Sequence, residues 1–118
     1  MMKPITDLKD KYSGYDIYVV AAGPSAGFVD KSFFDNKIVV GVNHVWRTFE
    51  NINYIVCKDN IPISNAVAGV AAFGFKLIVS KYLDGMRKAG RNNVDGAYYF
   101  EHMDNKPNTI DLSVVGTD

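Results

Sequence analysis

The sequence predicts an α/β protein with a mostly parallel, three-layer sheet, and three observations predict it. Four apolar bursts recur: "DIYVVAA" from Asp16, "KIVVGVN" from Lys37, "NYIVCKD" from Asn53 and "FKLIVSKY" from Phe75. Each is short, rich in Val, Ile and Tyr, and largely unbroken by polar residues, as suits strands buried on both faces. The segments between them carry apolar residues of their own, and two-faced burial requires such segments as covering layers.

The expected strands are residues 16–22, 38–42, 54–57 and 76–80. Between the first two, "GPSAGFVDKSFFDN" is long enough for a crossover, which needs roughly a dozen residues. Phe28, Val29, Phe33 and Phe34 would face the sheet from a short helix there. "HVWRTFEN", from His44, gives about two helical turns, with Val45, Trp46 and Phe49 inward. "IPISNAVAGVAAFG" reads as a closely packed helix beginning near Ser64, although Gly69 and Gly74 weaken its propensity. Past Tyr82, "LDGMRKAGRNNVDG" is a helix stub and then a surface loop. "AYYFEH" from Ala97 is a fifth strand, "NKPNT" a turn, and "IDLSVV" from Ile110 a last strand or the lead-in to a helix.

Composition bounds the function. The chain has 118 residues, enough for one domain spanning 1–118, with 47% apolar and 22% charged residues and a formal net charge of zero. No basic excess argues for a nucleic acid, and no run approaches the ~18 apolar residues of a membrane span. The N-terminus has no apolar stretch of the secretory kind, so the expected setting is cytoplasmic. Cys57 is the only cysteine. An internal disulfide and a cysteine-rich zinc site are thereby excluded, and Cys57 reads as a small buried hydrophobe.

The candidate site lies where the apolar bursts end. Gly23 lets the backbone turn and approach a ligand closely, Pro24 removes a competing N–H, and Ser25 is a good N-cap. Free amides beyond Ser25 would form an anion site without a lysine. In a doubly wound sheet such a site sits at the carboxyl ends of the strands, near the point where strand order reverses. A turn that merely ends a strand is the plainer alternative. The spacing is neither G-x-G-x-x-G nor a Walker A loop. The second burst ends on Asn43 and His44, and the third on Lys58 and Asp59. Asn43 offers donors and acceptors to a base or ribose, and Asp59 accepts from sugar hydroxyls.

In order and spacing, "IYVVAAGPSAGFVD", "KIVVGVNHVW" and "NYIVCKD" resemble the opening of the small bacterial sialyltransferases, which begin with Gly-Asn-Gly-Pro-Ser-Leu. They are also similar to hydroxymethylpterin pyrophosphokinase-like proteins, which open with Gly-Pro-Ser-Leu. The resemblance covers roughly the first sixty residues. It implies a Rossmann-like domain with Gly23, Pro24, Ser25 and Asn43 holding the nucleotide of a CMP-type nucleotide-sugar. The implied reaction is displacement of that nucleotide by an acceptor hydroxyl. Ala22 stands where the sialyltransferases have Asn, and Ala26 where they have Leu. Pyrophosphoryl transfer with magnesium, and a binding or oligomerisation module without catalysis, are the alternatives.

Other side chains read more plainly. His44 stands near the ligand edge but suits a cap as well as a base. His102, with Glu101 and Asp104, fits no tight metal-ligand spacing, so no metal is assigned. Tyr98, Tyr99 and Phe100 read as strand and core, and Arg87, Lys88 and Arg91 as a solvated face. In the relatives a further turn, helix and strand follow the point reached by "SVVGTD". The chain is therefore expected to hold the front part of such a domain, to form a homo-oligomer, and to bind nucleotide weakly without turnover.

Overall fold

The computed structural model describes residues 1–21, 30–49, 51–104 and 114–117. Among these residues seven strands form: β1 Lys3–Pro4, β2 Ile17–Val20, β3 Ile38–Val42, β4 Tyr54–Cys57, β5 Lys76–Ser80, β6 Tyr98–Asp104 and β7 Val114–Thr117. The apolar bursts are β2 to β5, as the sequence predicts, with β2 shorter than its expected span. Every pairing is parallel, in the order β1-β6-β5-β4-β3-β2, and β7 pairs with the second half of β6. This is an α/β fold of Rossmann-like layout. "AYYFEH" opens β6, and "IDLSVV" leads into β7.

The register alternates side chains between two faces. Tyr18, Val20, Val39, Gly41, Ile55, Cys57, Leu77 and Val79 point to the first. Helix α1, Asn60–Phe73, covers this face with Ile63, Ala66 and Gly69 buried. It starts four residues earlier than Ser64 because Pro62 is tolerated in the first turn, where its missing N–H has no partner to lose. Gly74 ends it in the left-handed conformation, φ 75°, and its N–H returns to the Val70 carbonyl. Gly69, inside the helix, gives room instead: a Cβ there would lie 2.9 Å from the Trp46 ring and 3.0 Å from Phe75.

In the described parts of the other crossovers the helical segments are 3₁₀ turns. Lys31–Phe34 is capped by Asp30, whose carboxylate accepts from the Ser32 N–H at 2.9 Å. That bond holds the Asp30 carboxyl below its ordinary pKa. Asn43–Arg47 buries Val45, and Phe49 behind it stacks edge-on with Phe34, centroids 5.2 Å apart. Phe28 and Val29 lie outside the described residues. Leu83–Gly85 and Arg87–Ala89 are single turns, with Arg87, Lys88 and Arg91 exposed.

The second face is covered by the N-terminal segment, which the sequence reading left unassigned. Ile5, Leu8 and Tyr12 pack on Tyr54, Ile78, Tyr98 and Phe100. The Tyr12 and Tyr54 hydroxyls share a 2.6 Å hydrogen bond. Burial, and then that bond, keeps the Tyr54 phenol above its ordinary range. Tyr98 and Phe100 are core residues, as their setting in a strand predicts, and the half-buried Tyr99 has the Lys81 ammonium 5.8 Å from its ring.

One expectation needs correction. From β2 to β6 the order advances in a single direction, without reversal. Among the described strands, β2 therefore lies at the sheet edge and its carboxyl end adjoins no switch point. Local apolar pattern defines each strand but carries no information on which neighbour it pairs with.

Candidate functional site

The parallel sheet brings the carboxyl ends of β3, β4 and β5 to one edge. Asn43 follows β3 directly in the left-handed region, φ 54°, a conformation Asn tolerates better than most side chains. The β3–β4 register, which pairs Val42 with Val56, brings Asn43 level with Cys57 at the end of β4. Asp59 lies two residues beyond Cys57, close enough for its charge to act on the thiol. Asn43 and Asp59 thus follow adjacent strand ends, on either side of Cys57 along the carboxyl edge. Both side chains are exposed, and neither has a hydrogen-bond partner among the described residues. Asp59 occupies the N-cap of α1 without its carboxylate closing a cap bond. Gly23, Pro24 and Ser25 lie outside the described residues.

A buried polar network holds Asp59 in place. Ser80, fully buried at the end of β5, sets its hydroxyl 2.8 Å from the Lys58 carbonyl and 2.7 Å from that of Tyr82. Asn92, 7% exposed, donates its amide to the Ser80 carbonyl at 2.7 Å, with the Ser80 hydroxyl and the Tyr82 carbonyl each at 3.3 Å. Asp84, at φ 52°, accepts from the Asn60 N–H at 2.8 Å and caps α1 across space. The backbone is fastened on both sides of Asp59, at Lys58 by Ser80 of β5 and at Asn60 by Asp84 of the β5–β6 connection. Sequence reasoning missed Ser80, Asp84 and Asn92. The signal available was a serine closing an apolar strand, and an Asn pair in a loop otherwise read as surface.

The remaining candidates separate from this edge. His44 Nε2 lies 3.1 Å from the Asn65 amide nitrogen on α1, which engages the ring against the helix. Glu101 is taken up by Lys81 at 2.5 Å. That contact raises the Lys81 pKa. No group of three metal-ligating side chains converges among the described residues. No described helix is long and apolar enough to cross a membrane.

Cys57 is buried, 1% exposed, and burial pushes its thiol up to about 11, with the Asn43 amide opposing and Asp59 adding to the rise. The folded value stands above the ordinary 9.0, so folding favours the neutral thiol. That contribution is intact below about pH 9 and lost as pH rises toward 11. In the native protein at about pH 8, Cys57 should not react with a disulfide reagent, and should react fully in denaturant. Rapid labelling of the folded chain would contradict this burial.

The fold and this edge define a class: an α/β protein with polar groups gathered at the carboxyl ends of a parallel sheet. No protein-family model, curated protein or solved structure matches the chain.

Proposed function

We propose that the protein binds a nucleotide or nucleotide-sugar of the CMP type at the carboxyl edge of its sheet, as a sialyltransferase-like glycosyltransferase domain. What supports the reading is the placement of Asn43 just after β3 and Asp59 just after β4 on the carboxyl edge, both side chains exposed and the backbone on either side of Asp59 fastened. An amide and a carboxylate so held match the edge of a base and the hydroxyls of a ribose. Gly23, Pro24 and Ser25 supply the phosphate cradle in this reading, on the strength of their sequence motif. The reaction class is displacement of the nucleotide from a sugar donor by an acceptor hydroxyl.

Thermal shift against CMP, a CMP-sugar, ATP and GTP, each with and without magnesium, tests the reading. A ligand at about a hundred times its Kd stabilises by about 2.7 kcal/mol. CMP and the CMP-sugar are expected to do so without metal. Asp59→Asn, and Asn43→Gly, which keeps the left-handed backbone, should each weaken binding about tenfold, or about 1.4 kcal/mol. Gly23→Val should abolish it. Magnesium-dependent stabilisation by ATP alone would favour pyrophosphoryl transfer instead. No shift with any nucleotide would leave a binding or oligomerisation module.

A further inference from the structure

A groove runs along α1, between that helix and the β5–β6 connection. Asn60, Ser64, Val67 and Val70 stand on one stripe of the helix and form its wall over about 15 Å. The groove consists of two hollows that meet at Val67 and Val94, which line both. Toward the amino edge of the sheet, a hollow of about 240 Å³ reaches the buried Phe75, Leu77 and Ala97. Toward the carboxyl edge, a hollow of about 510 Å³ carries Asn60, Ser64, Asn92 and Asn93, and no charged side chain among the described residues lines it. One end is therefore apolar, and the other offers uncharged polar groups.

The polar end holds two acceptors without a donor. Asn60 Oδ1 is buried and has no hydrogen-bond partner. Asn92, 7% exposed, donates through Nδ2 to oxygens of Ser80 and Tyr82, which fixes the orientation of its amide. Its Oδ1 accepts from no described residue. Buried acceptors of this kind call for a hydrogen-bond donor. We propose that the groove binds a small, uncharged amphipathic molecule, its N–H or O–H head at Asn60 and Asn92 and its apolar tail against Phe75, Leu77 and Ala97. A primary amide on a chain of about eight carbons has the length and the donors this requires. Its tail leaves water for an apolar wall. A carboxylate head would have no proton to give these oxygens, and it would approach Asp84, whose carboxylate already accepts from the Asn60 N–H. The size of the groove suits a small molecule. The proposal is independent of the nucleotide reading.

Trp46, the single tryptophan, lies 5.8 Å from the Phe75 ring, so a tail seated on Phe75 is read by its fluorescence. Titration with octanamide should change Trp46 emission to saturation and raise Tm. N,N-dimethyloctanamide, which keeps the chain but donates nothing, should bind at least about tenfold more weakly, as should octanoate. Val67→Glu, at the meeting of the two hollows and 46% exposed, should weaken octanamide by a similar factor with an unchanged far-ultraviolet circular dichroism spectrum. Ile61→Glu, 73% exposed and outside the groove, should leave binding as in the parent. No change in either emission or Tm with octanamide would overturn the proposal. So would equal binding of octanamide and either comparison compound, or equal effects of the two substitutions.

Discussion

Asn92→Asp should destabilise the protein by about 3–5 kcal/mol at neutral pH and recover much of that loss in acid. The two side chains have the same shape, so packing is not at issue. What changes is the nitrogen that donates to the Ser80 carbonyl at 2.7 Å and lies 3.3 Å from both the Ser80 hydroxyl and the Tyr82 carbonyl. A carboxylate there has no proton to give, and it would face carbonyl oxygens from a position only 7% exposed. Burial among acceptors favours the neutral acid, so the introduced carboxyl would titrate above the unfolded value of about 3.9. The penalty is therefore absent below about pH 4 and grows as pH rises through the folded pKa. Chemical denaturation of variant and parent across that range measures it. A difference that stays constant with pH would show that the loss is steric rather than electrostatic.

Gly41→Ala should cost about 1–3 kcal/mol, a fall in Tm of several degrees, from a single added methyl. Gly41 lies in β3 on the first face, and a Cβ would stand 2.4 Å from Val45 Cγ1, 2.8 Å from Ile55 Cδ1 and 3.3 Å from Ile52 Cδ1. All three neighbours are buried, at 3%, 0% and 6% exposure, so none can swing into solvent. Interiors packed to crystal density relieve such a clash only by moving backbone. Gly69→Ala is the contrasting case. Its Cβ would press on the partly buried Trp46 and, at 3.0 Å, on the buried Phe75, but alanine adds about 1 kcal/mol of helix propensity over glycine to offset the strain. The Gly69 variant should lie much closer to the parent in thermal denaturation. Equal losses at both sites would show that the strand and the helix relax alike.

Much of the sheet was legible because burial leaves a local trace. "KIVVGVN", "NYIVCKD" and "FKLIVSKY" carry unbroken apolar runs that only a strand covered on both sides needs, and β3, β4 and β5 occupy the expected residues. The edge residues Asn43 and Asp59 were legible for the same reason, since the residue after a buried run in a parallel sheet falls at its carboxyl edge. Helix α1 was legible in kind but not in its start, because Asp59 at its N-cap makes no cap bond and the cap comes from Asp84, far along the chain.

By itself, then, the sequence determined strands β2 to β6, their parallel sense and the polar residues that follow β3 and β4, all of which follow from residues adjacent in the chain. Only the tertiary structure decided that β2 lies at the sheet edge, that the N-terminal segment covers half of the second face, and that Ser80 and Asn92 fasten the backbone beside Asp59. These depend on pairings between segments far apart in sequence. A strand's apolar pattern is satisfied equally well by any neighbour of matching pattern. A buried asparagine in a polar loop cannot be told from an exposed one until the chain closes around it.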